Sequence, residues 1–153
     1  MNMLSRVDNL AKSISALIPD WLVGFVARGA IFFVFWQSVQ TKIGGGSLLG
    51  QKFMFWEVTD STLMLFEYEY DVPLLSPELA AYLATFAEFF LSLGILVGLL
   101  TRLSAAGLLL VTIIIQFFVY PNEWTAHLLW AALLIYLIKH GPGSISLDAL
   151  IKK

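Results

Sequence analysis

The chain of 153 residues contains no cysteine. That excludes thiol redox chemistry, cysteine-ligated iron–sulfur clusters and covalent c-type haem attachment within it. Histidine is scarce as well. The only two, His127 and His140, would lie about 20 Å apart along one helix at 1.5 Å per residue. They cannot clamp one haem iron from both faces, so an intrachain bis-His haem is excluded, while ligation shared with a partner chain stays open. Charged residues make up 13% of the chain, about half the soluble average, and the net charge of -2 suits no nucleic-acid partner. No nucleophile–base constellation, phosphate loop or closed metal site is visible, which argues against a self-contained hydrolase or transferase. The start, Met-Asn-Met-Leu-Ser-Arg, lacks an apolar core with a small-residue cleavage site, so no cleaved signal peptide is expected.

What is abundant is apolar: 59% of the residues. The reading is one all-α membrane domain spanning residues 1–153. Val7, Leu10, Ala11, Ile14, Leu17 and Ile18 recur at helical spacing with polar residues between them, which predicts an amphipathic helix at the membrane surface. Pro19-Asp20 then opens a helix. Spans are expected at about 21–40, 78–100, 102–120 and 124–140, each near the length that a hydrocarbon core of about 30 Å requires. The segment 41–77 mixes Phe53, Phe55, Trp56 and Phe66 with Glu57, Asp60, Glu67, Glu69 and Asp71. Aromatics interleaved with acids suit the headgroup region, so one or two short interfacial helices are expected there.

Basic residues set the orientation. With the N-terminus in the cytoplasm, Arg6, Lys12, Arg102, Lys139, Lys152 and Lys153 lie inside, and only Lys42 and Lys52 lie outside with most of the acids. The expectation is a four-helix bundle with both termini cytoplasmic, accompanied by N-terminal and extracytoplasmic interfacial helices.

The polar residues inside the spans are the candidates for function. Ala81, Thr85, Glu88 and Ser92 share one face of the second span; Arg102, Ala105, Leu109, Thr112 and Gln116 share one face of the third. Arg28 lies about 12 Å above the cytoplasmic start of its helix and Glu88 about 18 Å above the end of its own, counting 1.5 Å per residue. An Arg28–Glu88 pair is therefore expected in the core, beside Thr85 and Ser92, as a structural tie or as a group that handles ligand or protons. Gly94-xxx-Gly98 could seat a close helix neighbour. Glu123 and His127 stand one helical turn apart, but two ligands are too few for a metal site, so no metal is expected. A quinone would need hydrogen-bonding partners for two carbonyls beside an apolar channel; Gln116, His127, Trp36, Trp124 and Trp130 could supply them. At the cytoplasmic end, Ser144 or Ser146 is expected to cap a short helix ending at Lys152-Lys153, with Asp148 meeting Arg102 as a clasp.

The early span with Arg28, Trp36 and Lys42 is followed by Tyr70-Asp-Val-Pro-Leu-Leu75. Glu88 then leads to Gly94-Ile-Leu-Val-Gly98-Leu-Leu-Thr-Arg102, and the chain closes with Gly141-Pro-Gly-Ser-Ile-Ser-Leu-Asp148. In this order the pieces resemble the DoxX family of small prokaryotic four-helix membrane proteins, over nearly the whole chain from Trp21. Phe118-Val-Tyr-Pro-Asn-Glu-Trp-Thr-Ala-His-Leu-Leu-Trp-Ala131 looks like one bacterial branch of it. The family takes its name from a subunit of a thiosulfate:quinone oxidoreductase, and other members are linked to oxidative-stress redox complexes. The resemblance implies a bacterial inner-membrane subunit of a redox-linked system, in contact with lipid and with a protein partner or further copies of itself. It does not carry thiosulfate oxidation with it. The other class left open is a non-catalytic membrane anchor or a small-solute or metal-handling carrier, and the sequence leaves undecided whether the chain is an enzyme.

Overall fold

The computed structural model describes residues 3–70 and 72–152, so Asp71 and Lys153 of the readings above lie outside the described residues. It is mostly helical. Helix α1 (Met3–Ser15) buries none of its residues and leaves Leu4, Val7, Leu10 and Ile14 exposed. A row of this kind on a chain rich in lipid-facing surface suits the membrane interface. Pro19, in an extended conformation, turns the chain into α2 (Asp20–Lys42), with Asp20 at its positive end. The helix runs two residues past the expected span, so Lys42 belongs to its last turn.

The segment after α2 contains a two-stranded antiparallel hairpin, β1 (Ser47–Leu48) and β2 (Gln51–Lys52), and one helix, α3 (Asp60–Tyr68). Thr59 caps α3 by accepting from the Thr62 amide. Helix α4 (Pro77–Val97) starts with Ser76 as cap and Pro77 in its first turn. It stops at Gly98, whose φ of +71° is the left-handed conformation glycine adopts most cheaply. Helix α5 (Thr101–Ile114) continues as a π-helical turn, Ile115–Val119, closed by the Tyr120 amide bonding back to the Ile115 carbonyl at 2.8 Å. Helix α6 (Trp124–His140) ends at Gly141, and α7 (Leu147–Ile151) is capped by Ser146.

Contacts run from α2 to α4, α4 to α5, α5 to α6 and α6 back to α2, while α3 packs across α4. The core between them holds Ile31, Phe35, Ile95, Leu108, Leu134 and Leu137. A second cluster gathers Phe32, Trp36, Val39, Ile43 and Phe89. Gly94 lets α5 approach closely, since a Cβ there would stand 2.7 Å from Ser104 Oγ. Among the described residues, three helices (α2, α4 and α5 with its π turn) are long and apolar enough to cross a bilayer. Their outward faces expose Phe33, Leu83, Phe90, Leu110 and Phe117. In water such a surface would aggregate; in lipid it is solvated.

Candidate functional site: an ion pair in the wall of a cavity

Glu88 is 1% exposed at the middle of α4. Its partner is Lys42, with Nζ 2.6 Å from Oε2, and Arg28 is not involved. The expected Arg28–Glu88 pair is therefore corrected. Depth arithmetic placed each charge along its own helix but ignored the reach of a lysine at a helix end. Lys42 lies on the same stripe of α2 as Arg28, and its long side chain turns inward to the carboxylate rather than outward to water. Lys42 Nζ also donates to Ser38 Oγ, one turn back, at 2.5 Å. Thr85 and Ser92 are buried next to Glu88 on α4, but their hydroxyls donate to the carbonyls of Ala81 and Phe89. Such back-bonding satisfies a hydroxyl inside a helix and spends its proton. Neither is bonded to the carboxylate.

The Lys42–Glu88 pair forms part of the wall of a cavity of about 430 Å³, within the range of small-molecule sites. Ala84 and Ala87 of α4 with Val111 and Ile114 of α5 make apolar sides, and Leu65 and Phe66 of α3 cover it. The start of α3 is tied to the end of α2, because the Thr59 amide and the Thr62 hydroxyl both donate to the Lys42 carbonyl, at 2.9 and 3.2 Å. Tyr70 and Tyr120 also line the cavity, with their hydroxyls 2.8 Å apart. Neither tyrosine had been singled out as a ligand contact. Nothing in hydropathy joins positions 50 residues apart, although Tyr70 was part of the family-like stretch.

Of the residues expected to face a quinone, Trp130 lines this cavity and Trp36, Gln116 and His127 do not. Gln116 Oε1 stands 2.6 Å from His127 Nδ1, and Gln116 Nε2 donates to the Pro121 carbonyl. Trp36 donates its indole N–H to Gln51 Oε1 at 2.6 Å. Trp124 sits at the rim of the molecule, half exposed against Phe117. His127 donates its backbone amide to the Glu123 carbonyl, and among the described residues no cluster of three or more His, Asp or Glu side chains gathers as a metal site.

The family model described as DoxX matches residues 23–121. The chain belongs to the DoxX family. It is a multi-pass membrane protein of that family, and the matched stretch contains every residue named above for the polar wall of the cavity, from Ser38 to Tyr120. No curated protein and no solved structure matches it significantly.

A different arrangement occupies the opposite end of the DoxX helices, and its strap lies outside the matched stretch. Arg28 is 2% exposed. Its Nη2 donates to the Ile145 carbonyl at 2.6 Å, its guanidinium presses on Gly98, and Nε and Nη1 have no partner. Gly98 thus meets two demands, a positive φ and a cation against its Cα. Asp148 accepts from the amides of Leu100 and Thr101, at 2.8 and 2.9 Å, and its own amide donates to the Gly98 carbonyl. The expected Arg102–Asp148 clasp is accordingly corrected: the carboxylate caps the first turn of α5, and Arg102 lies along Gly141 instead. Free amides at a helix start outcompete an exposed guanidinium because they are fixed and otherwise unsatisfied.

Proposed function

We propose that this chain is the membrane subunit of a redox-linked system and takes a lipid-soluble quinone into the cavity, acting with a partner protein. In this reading α2, α4, α5 and α6 form a four-helix bundle across the bacterial inner membrane with both termini cytoplasmic. The distribution of basic residues along the sequence supports that placement, since Arg6, Lys12, Arg102, Lys139 and Lys152 all fall in segments that this orientation puts on the cytoplasmic side. The cavity then lies toward the outer leaflet. Its apolar walls suit a ring and the start of an isoprenoid tail. The observation that carries the reading is the buried Lys42–Glu88 pair set in a mostly apolar wall: an ion pair at that depth is costly as a mere tie, and here it offers both a donor and an acceptor to an occupant. The exposed acids Glu57, Asp60, Glu67 and Glu69 near the cover give a basic partner a place to dock.

Titration of the detergent-purified protein with a decyl-substituted para-benzoquinone, read by tryptophan quenching, tests this. Saturable binding that weakens at least tenfold in Lys42→Met is expected. Absence of saturable binding in the unaltered protein would sink the proposal and favour the second class, a membrane anchor or carrier that docks a partner without a redox ligand.

A further inference from the structure

The donors in the cavity wall can be counted. Lys42, as an ammonium, has three. It spends one on Glu88 and one on Ser38, leaving one unspent. Two hydroxyls that bond to each other share one proton and leave the other free. Tyr70 and Tyr120 have no further hydrogen bond, so their pair also retains one donor. Unspent donors thus stand in different parts of one cavity wall, Lys42 at the end of α2 with the Ser38 hydroxyl beside it, and the phenol pair where the chain after α3 meets the end of the π turn.

The phenol pair is held in place. Tyr70 packs edge-on against buried Phe66, with ring centroids 5.0 Å apart, and edge-on against Tyr120 at 5.8 Å. Burial first, then the bond to Tyr120, pushes the Tyr70 phenol well above its ordinary range, and the negative charges of Glu69 and Glu88 add to the push. It therefore keeps its proton, and with it its capacity to donate, throughout the physiological range.

We infer that the cavity grips its occupant at two poles, Lys42–Glu88 at one and the Tyr70–Tyr120 hydroxyls at the other, and so selects a ring with two opposed carbonyls over a lipid with one polar end. This rests on the quinone reading above and adds to it the residues that set specificity. A single-headed lipid would gain the hydrogen bond of one pole only, and so bind less tightly than a ring that reaches both. The hydroxyl pair also predicts a buffered response. Removing one phenol leaves its neighbour free to donate, so each single phenylalanine variant should lose little, and only the double variant should lose the pole.

The test compares two probes on four proteins in detergent. The probes are the decyl para-benzoquinone and the matching decyl cyclohexenone, which has one carbonyl; the proteins are the unaltered chain, Tyr70→Phe, Tyr120→Phe and the double variant. The unaltered protein should bind the quinone about tenfold more tightly than the enone, the value of roughly one hydrogen bond. The double variant should bring the two affinities together by weakening the quinone alone, and each single variant should shift it less than about threefold. Unchanged enone affinity in the double variant shows that its fold survives. If it loses the enone as well, the two single variants and their melting curves decide, since a full tenfold loss in either removes the shared-donor account. Quinone binding that ignores the double substitution overturns the second pole and leaves the quinone reading standing. Equal affinity of the unaltered protein for both probes also overturns it. Failure of both probes to bind overturns the quinone reading itself.

Discussion

Arg28 and Lys42 are cations of one helix face, about 21 Å apart along α2 at 1.5 Å per residue, and both point toward α4. Their surroundings differ. Lys42 has a carboxylate, a hydroxyl and an open cavity beside it. Arg28 has one carbonyl, a glycine backbone pressed against it and two nitrogens with no hydrogen-bond partner among the described residues. Its compensation comes from the Phe25 ring 5.7 Å from the guanidinium carbon, from the charge of Asp148, and from the end of α4 at Gly98, which carries the negative pole of that helix. One cation is held by a specific counter-ion in a space that a ligand can enter. The other is held by packing, a ring face and a carboxylate to which it is not bonded, and it does not line that cavity. A buried charge is thus a sign of binding only when room and unspent bonds accompany it.

Substitutions can break that contrast, beginning with the largest expected effect. Lys42→Met leaves Glu88 buried without its counter-ion and should cost about 3–5 kcal/mol in detergent unfolding. Lys42→Met/Glu88→Leu should recover most of that stability while remaining unable to bind quinone. A double variant as unstable as the single would refute the pairing. Gly98→Ala comes next, at about 2–3 kcal/mol, since it combines a strained positive φ with a methyl group driven into the Arg28 guanidinium. Arg28→Met should cost only about 1–2 kcal/mol, because the bond to Ile145 and the dipole interaction are lost together with two unmet donors. If it proves as damaging as Lys42→Met, the contrast between the two ends collapses.

Asp148→Asn is expected to be the mildest, at about 1 kcal/mol measured by thermal unfolding. It also bears on pH. Burial pushes this carboxyl up, but the hydrogen bonds from Thr101 and Leu100 and the charge of Lys152 outweigh it, so its folded value lies below the ordinary one. A depressed value means that the stabilisation is complete above the unfolded carboxylate value of about 3.9 and is lost as pH falls toward the folded value. Protection of the Leu100 and Thr101 amides, relative to their intrinsic exchange at each pH, should fall only in that acidic window, and Asp148→Asn should abolish the dependence.

The helices were largely legible because lipid imposes length and apolarity on any span, and both are visible in composition. The end of the last span near residue 140 and the cap at Ser146 were legible for a similar reason, since each is set by local backbone chemistry, whereas the stop at Gly98 falls two residues short of the expected end of its span. Partners across the fold were not. Glu88 could be identified as buried from its neighbours on α4, but choosing between Arg28 and Lys42 requires the offset between two helices, which no single-helix pattern contains. Asp148 was placed at the right turn and given the wrong group there, because side-chain charge is conspicuous in a sequence and free backbone amides are invisible. Tyr70 and Tyr120 went unread for want of any local signal.

The π turn at Ile115–Val119 has one more consequence. A π turn arises when a helix accommodates an extra residue without unwinding, so α5 carries what amounts to an insertion just before Tyr120. Excising one residue there would restore an ordinary helix and swing Tyr120 by about 100° around the axis, taking its hydroxyl away from Tyr70. Such a deletion should reproduce the double phenylalanine variant in quinone affinity while circular dichroism shows undiminished helix. The spacing of the two phenols would then be heritable as a single codon, gained or lost in one event.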